Sequence, residues 1–315
     1  MNVPQTPLFA DNLPPLFLDL LGDDFEILPW DVSSHSTSLS RAEAIITYGH
    51  PRVDGALLDR MPNVRVVSNH GVGVDHIDVA AANARNIPVG NTPGCLDGAT
   101  ADLTFALILA TARNVVIGDH FARSAEFTVY EPSLLIGKEV NGATLGIVGL
   151  GRIGKQVAKR GRAFDMKILY HNRQRDLAAE VEFDAEYRSL DGLLAESDFV
   201  ALNCPLTSET TNLISTAQFA TMKRSAILIN MARGGVVDTD ALYEALSTGR
   251  ICGAGIDVTQ PEPLPRNHPL LRLQNLVITP HLGSASDRTR RRMIEMTIDN
   301  LRAGLAGLPL PNRVN

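Results

Sequence analysis

The 315-residue sequence has little cysteine: Cys95, Cys204 and Cys252 are odd in number, widely spaced and without a C-x-x-C pair. That excludes a disulfide framework and a thiolate zinc site, and it points to a reducing compartment. There is no excess of positive charge. The net charge is −6, which argues against a nucleic-acid partner or an anionic membrane surface. Long apolar runs are missing, as is a basic-then-apolar leader, so neither a membrane span nor a secretory signal is expected. The expected location is cytoplasmic. Aromatic residues make up only 5% of the chain, and the single tryptophan, Trp30, reads as packing rather than function.

What the chain does have is glycine in one telling place. The stretch Ala143–Gln156 reads ATLGIVGLGRIGKQ. Leu145–Val148 is apolar and too short for a helix, so it predicts a buried strand, and Lys155–Phe164 continues with helical periodicity. Gly149, Gly151 and Gly154 stand between them at Gly-x-Gly-x-x-Gly spacing. The first permits a tight turn, the second lets backbone approach a pyrophosphate, and the third lets the helix pack close to the sheet. The helix N-terminus then offers free N–H groups to the phosphates. A ligand-free glycine turn does not account for all three positions.

The chain is long enough for two domains. Residues through about Pro15 are polar and proline-rich and predict a loose arm. Leu16–Leu20 reads as helical, and strands are expected at Phe25–Leu28, Ala44–Thr47, Arg65–Ser68 and Ile87–Val89, with a helix over Asp75–Arg85. Strands alternating with helices predict a parallel sheet covered on both faces. Asn69–Val74 follows a strand, where ligands of open α/β sheets bind, and its backbone N–H groups could cradle a carboxylate; a turn requiring positive φ is the alternative. Tyr48–Pro51 follows the preceding strand and could line the same cleft. Ala99–Arg113 is apolar almost all round and must be buried, between domains or against a partner chain. Glu126–Asn141 has no periodicity and reads as a connection that wraps or reaches outward.

Beyond the glycine loop, Lys167–Tyr170 predicts the second strand of a dinucleotide domain. An NADH-binding protein would place an acid at its end to accept from the adenosine ribose. This chain has His171-Asn172-Arg173-Gln174-Arg175 instead, and Asp176 comes too late. Basic residues there favour a 2′-phosphate, hence NADPH over NADH, with a solvated basic loop as the alternative. Further strands are expected at Phe199–Leu202, Ala226–Asn230, Gly253–Val258 and Leu276–Thr279. The first ends near Cys204, which reads as a small loop residue beside cofactor rather than a nucleophile. The other three lead to Arg233, Glu262 and His281, which a parallel sheet would gather at one edge.

That trio suits hydride transfer to a carbonyl. An arginine can hold a 2-oxo acid's carboxylate and polarise its carbonyl, and a histidine can supply the proton for the developing alkoxide. A carboxylate on the other ring nitrogen fixes the tautomer and favours imidazolium. Taken singly, the three also read as a surface salt bridge, a turn cap and a structural histidine; their shared position after strands joins them.

The sequence resembles the D-isomer-specific 2-hydroxyacid dehydrogenases, most closely the glyoxylate/hydroxypyruvate reductases and related 2-ketogluconate reductases. The resemblance runs from about Ala44 to Leu301, and its most specific parts are 145–154 (LGIVGLGRIG), 230–238 (NMARGGVVD), 253–258 (GAGIDV) with 261–265 (PEPLP), and 279–286 (TPHLGSAS). It implies an α/β fold in which a Rossmann dinucleotide-binding domain, 113–287, is inserted into a flavodoxin-like parallel α/β substrate domain, 1–112 plus 288–315. It implies Arg233 as substrate anchor, His281 as proton donor and Glu262 as its partner, with the backbone of Val72 and Gly73 on the carboxylate. Asp257 would contact the nicotinamide carboxamide. Gly149, Gly151, Arg152, Ile153, Gly154, Asn172, Arg173, Arg175, Cys204, Pro205, Thr211, Met231, Ala232 and Gly283 would line the cofactor together with Arg233 and His281. The helix from Ala99 would serve a homodimer and a hinge, and no metal is implied. Many relatives carry tryptophan where this chain reads Arg123–Phe127; Phe127 and Tyr130 stand in that region here, a departure from the family pattern. A longer sugar acid such as 2-ketogluconate is the rival substrate. A dinucleotide-sensing corepressor-like scaffold is the rival of another class, though the chain lacks the long disordered or charged extensions such proteins use.

Overall fold

The computed structural model describes residues 5–33 and 37–315. The chain divides into two compact units, one made of 1–96 with 286–315, the other of 97–285. The first boundary falls before the apolar helix expected at Ala99–Arg113, so that helix belongs to the second unit and not to the outer one.

The first unit carries strands β1 (Thr6–Phe9), β2 (Phe25–Leu28), β3 (Ala44–Thr47), β4 (Val67–Asn69) and β5 (Val89–Gly90), in the spatial order β2-β1-β3-β4-β5, all parallel. Among the described residues, the short helices α1 (Pro15–Leu21), α2 (Ser38–Arg41), α3 (Gly55–Asp59) and α4 (Val79–Ala84) lie between them. A C-terminal helix, Asp287–Leu305, returns to the same unit. Side-chain alternation sorts the strands onto two cores. Phe9, Ile45 and Val67 face one cluster, with Trp30 packed at a tilt against Phe9 at 4.6 Å between ring centroids. Leu8, Ala44 and Ile46 face the other, which the C-terminal helix closes with Ile294, Ile298 and Leu301.

The loose arm expected through Pro15 is corrected by β1, which lies inside the sheet between β2 and β3 with Leu8 and Phe9 fully buried. Residues 1–4 of that arm lie outside the described residues. Four residues with a proline among them carry too little periodicity to announce a strand, but two parallel neighbours bond their backbone groups. The strand expected at Arg65–Ser68 is shifted to Val67–Asn69, which takes Asn69 out of the loop. The helix expected from Asp75 starts only at Val79, because Asp78 caps it by accepting from the Ala81 N–H at 2.8 Å.

The second unit begins with α5 (Asp97–Ala112) and α6 (Val115–Arg123), followed by β6 (Thr144–Val148), α7 (Arg152–Ala163), β7 (Lys167–His171), α8 (Leu177–Phe183) and β8 (Ala185–Tyr187). It continues through α9 (Leu190–Glu196), β9 (Phe199–Leu202), α10 (Thr216–Thr221), β10 (Ile227–Asn230), α11 (Thr239–Ser247), β11 (Gly253–Ile256) and β12 (Leu276–Ile278). The seven strands form one parallel sheet in the order β12-β11-β10-β9-β6-β7-β8. The chain leaves β6 toward β7 on one side and returns to β9 on the other, so the sheet reverses its direction of travel beside the glycine loop. In sheets of this kind ligands bind at that reversal. Helix α5 packs on α7, β10, β11 and β12, burying Thr104, Phe105, Leu107 and Ile108. One side of the helix is thus covered inside its own unit, while Leu103, Leu109 and Ala110 are half-buried and Ala106 is exposed. No single helix among the described residues is long and apolar enough to cross a membrane.

Candidate active site

The glycine loop fits a bound dinucleotide in its details. Gly149 has φ +97°, and a Cβ there would lie 2.6 Å from the Cys204 amide nitrogen; at Gly154 it would lie 2.3 Å from the Gly149 carbonyl oxygen. Both positions therefore require glycine for the turn and the helix approach. A Cβ at Gly151 would meet no protein atom within 4 Å. The backbone is bare on that side, directly before the first turn of α7, where Arg152 and Ile153 stand. This is the approach a pyrophosphate needs.

At the end of β7, Asn172 turns its side chain inward, and its Oδ1 accepts from the Leu150 N–H at 2.7 Å. The amide oxygen thus ties down the glycine loop and leaves the Nδ2 group as the donor of that side chain. Arg175 is engaged differently. Its guanidinium bonds both carboxylate oxygens of Glu180 (2.9 and 2.7 Å) and lies over the Tyr187 ring, while Glu180 also accepts from the Tyr170 hydroxyl at 2.6 Å. Asp176 caps α8 and pairs with Lys155 at 2.7 Å. Arg173 is exposed.

Across the sheet, Cys204, Pro205 and Thr211 lie on the connection after β9. Burial pushes the Cys204 thiol up to about 11, so it is no nucleophile. Thr211 gives its hydroxyl to the Thr207 carbonyl at 2.8 Å. Met231 and Ala232 follow β10 and are buried, and Arg233 comes next, its Nη1 donating to the Ala232 carbonyl at 2.9 Å. Asn230 holds this turn, donating to the Arg233 carbonyl and accepting from the Ala232 N–H, each at 3.0 Å.

Glu262 follows β11 and His281 follows β12, and the structure joins them: His281 Nδ1 lies 2.7 Å from Glu262 Oε1. The carboxylate assigns the proton to Nδ1 and leaves Nε2 to face outward from the pair. His281 adopts φ +55°, a left-handed conformation uncommon outside glycine and asparagine. Asp257 stabilises it. Only 2% exposed, its carboxylate accepts from the Thr279 hydroxyl (2.6 Å) and from the N–H groups of Leu282 (2.7 Å) and Gly283 (2.8 Å), and its carbonyl accepts from the His281 N–H at 2.9 Å. The carboxylate read as a nicotinamide contact is thus largely spent on the loop that carries the histidine. Thr279, which completes this clamp, gave no sign in the sequence beyond its place at a strand end.

In the first unit, the loop after β4 holds Val72 and Gly73. Asn69, His76 and Thr47 form a buried polar cluster beneath it, with Thr47 Oγ1 donating to Asn69 Oδ1 at 2.7 Å and His76 Nε2 at 3.1 Å from the same oxygen. His70 packs against Tyr48 at 5.1 Å between ring centroids, and its Nδ1 meets Thr297 Oγ1 at 3.3 Å. Burial, with smaller contributions from Arg290 and His50, pushes its pKa down to about 3. Among the described residues no group of three or more histidine, cysteine or acidic side chains could hold a metal ion.

Residues 105–283 match the family model for the D-isomer specific 2-hydroxyacid dehydrogenase, NAD binding domain. The chain belongs to the D-isomer specific 2-hydroxyacid dehydrogenase family. It is an NAD(P)-dependent oxidoreductase. The glyoxylate reductase of Pyrococcus horikoshii is 45% identical to this dehydrogenase over 314 residues, 96% of this chain and 94% of that protein. Among solved structures, the NADPH-dependent glyoxylate/hydroxypyruvate reductase of Sinorhizobium meliloti, in complex with NADP and malonate, superposes with a TM-score of 0.90 at 30% identity, covering 99% of this chain and 97% of that one. The D-lactate dehydrogenase of Aquifex aeolicus, complexed with NAD and lactic acid, gives 0.87 at 32% identity, covering 98% of each chain.

Proposed function

We propose that this dehydrogenase reduces small 2-oxo acids, glyoxylate and hydroxypyruvate first, to 2-hydroxy acids at the expense of NADPH. The observation that carries the reading is the bonded His281–Glu262 pair, set with Arg233 after adjacent strands of the sheet that holds the glycine loop. The second unit is assigned to the dinucleotide and the first to the substrate carboxylate. When bound, the nicotinamide supplies the hydride. Arg233 holds the 2-oxo acid and polarises its carbonyl with a fork of N–H donors. The backbone N–H groups of Val72 and Gly73 take the carboxylate. His281 gives the Nε2 proton to the developing alkoxide, and Glu262 keeps the ring oriented and stabilises its charged form. Asp257 and Thr279 hold the loop in which the histidine sits.

The preference for NADPH is assigned to Arg173 with the outward amide of Asn172. Arg175 is a weaker candidate, because a phosphate would have to compete with Glu180 for its guanidinium. The name glyoxylate reductase carried by relatives supports the smaller-substrate reading over 2-ketogluconate. We also assign a homodimer, built on α6 and the segment after it rather than on α5. No α6 residue is buried, and Val129, Tyr130 and Ile136 are exposed beyond 70%.

The test is turnover of purified protein with NADPH against glyoxylate, hydroxypyruvate, pyruvate and 2-ketogluconate. The expected result is reduction of the first two with the highest kcat/KM. Absence of turnover on all four would remove the reductase reading and leave the dinucleotide-sensing scaffold.

A further inference from the structure

The loop after β4 is polarised, and one side chain is placed to impose that polarity. Four consecutive carbonyls are bonded into the body of the first unit. Gly71 accepts from Asn69 Nδ2 (2.9 Å) and the Thr92 N–H (3.0 Å), Val72 from Asn91 Nδ2 (2.9 Å), Gly73 from Asn69 Nδ2 (2.9 Å) and Val74 from the Ile77 N–H (2.9 Å). Among the described residues, the N–H groups of Gly71, Val72, Gly73 and Val74 donate to no protein acceptor. A short stretch with its carbonyls drawn inward presents its N–H groups together on the other side, an arrangement suited to an anion.

Among the described residues, Asn69 is the only side chain that holds two of those carbonyls at once. It is fully buried, and the orientation of its amide is set by its neighbours. Oδ1 accepts from the Thr47 hydroxyl and lies beside His76 Nε2, so Nδ2 must be the atom between Gly71 and Gly73. Reversing the amide would set its oxygen against two carbonyl oxygens.

We infer that Asn69 is a positioning residue for substrate, holding the backbone of Val72 and Gly73 so that their N–H groups bind the carboxylate. The inference rests on the reading that this loop takes the 2-oxo acid's carboxylate. Asn69 touches neither substrate nor cofactor. Its effect falls on substrate binding, and the cofactor affinity of the second unit is independent of it. Thr47 acts one step further back, by holding Asn69 Oδ1.

The experiment compares wild type, Asn69→Ala and Thr47→Val by glyoxylate kinetics, by NADPH binding and by calorimetric titration of oxalate into the NADPH-loaded protein, which needs no turnover. Asn69→Ala is expected to raise glyoxylate KM and oxalate Kd about tenfold, the effect of losing one to two ordinary hydrogen bonds. Its kcat and NADPH Kd should stay within about twofold, which a general loss of structure would not produce. Thr47→Val, nearly isosteric, should give a rise of about threefold in the same two quantities, and it decides the matter if Asn69→Ala does not fold. Unchanged KM and oxalate Kd in a folded variant of an active wild type overturn the role of Asn69 and leave the reductase reading intact. A wild type that neither reduces a 2-oxo acid nor binds oxalate overturns both.

Discussion

His281 Nδ1 and Glu262 Oε1 stand 2.7 Å apart although the two residues are carried by the loops after different strands. The bond occupies Nδ1 and leaves Nε2 as the nitrogen that would deliver a proton in the proposed reaction. His281→Gln is therefore expected to lower kcat by about 10²–10⁴-fold, with NADPH binding retained. Glu262→Gln keeps a hydrogen-bonding partner but loses the charge, and a decrease of roughly tenfold is expected. Single-turnover rates with glyoxylate measure both. Near-normal chemistry in His281→Gln would remove the histidine from the reaction.

Arg233→Lys tests the substrate anchor. An ammonium keeps the charge but cannot form two parallel hydrogen bonds to a carboxylate or bridge carboxylate and carbonyl. The expected result is a loss of kcat/KM of about ten- to a hundredfold, since two charge-assisted bonds become one. A loss under threefold would show that charge alone suffices and that the fork has no part.

Arg173 and Arg175 are separated only by Gln174, yet they should behave differently. Arg175 is held by both oxygens of Glu180 and by the Tyr187 ring, so Arg175→Ala should cost stability around α8 and leave the cofactor preference within about threefold. Arg173→Ala should reduce the ratio of kcat/KM for NADPH over NADH by roughly tenfold or more, the contribution of one charge-assisted hydrogen bond. Equal use of both cofactors by the wild type would contradict the assignment of this loop, as would an unchanged ratio in Arg173→Ala.

His70 makes the first unit sensitive to acid. Its pKa is pushed from 6.5 to about 3 by burial, so between those values the unfolded chain takes up a proton that the folded chain refuses. Its contribution to stability is present above pH 6.5 and is lost as pH falls, by about 1.4 kcal/mol per pH unit, or about 2 kcal/mol at pH 5. Urea melts of wild type and His70→Gln at pH 7 and pH 5 measure this. The difference in stability between the two pH values should be smaller in the variant; an identical difference would show that His70 does not titrate in this way.

The exposed apolar surface of α6 and the following segment predicts self-association. Sedimentation at micromolar concentration should give a dimer, and Ile136→Asp, at a side chain 76% exposed, should shift it toward monomer without lowering Tm by more than a few degrees. A monomeric wild type would overturn the assignment.

The sequence made the second unit legible because its strands are short apolar runs and its candidate site residues all follow strand ends. Arg233, Glu262 and His281 could be grouped before any coordinates, since a parallel sheet leaves little choice about where such loops emerge. The bond between Glu262 and His281 followed from chemistry, and the structure supplies its geometry. The roles of Asp257, Asn172 and Arg175 were less legible, because a sequence does not say which hydrogen bonds a polar side chain has already made. Strand β1 was hidden for a different reason: Thr6–Phe9 is too short to show a period and is a strand only because residues far along the chain flank it. Asn69 was placed in a loop by pattern, whereas its backbone completes β4 and its side chain governs the loop beyond.

Because the C-terminal helix supplies Ile294, Ile298 and Leu301 to the cluster that contains Leu8, Ala44 and Ile46, one face of the first sheet waits for residues made after the whole of 97–285. On the ribosome the second unit has all of its own chain before the first can be closed. Until then only α1, through Phe17 and Leu21, covers that apolar sheet face, and the remainder is the kind of surface that chaperones bind and that aggregates when they do not. Order of synthesis therefore makes the earliest residues among the last to be finished.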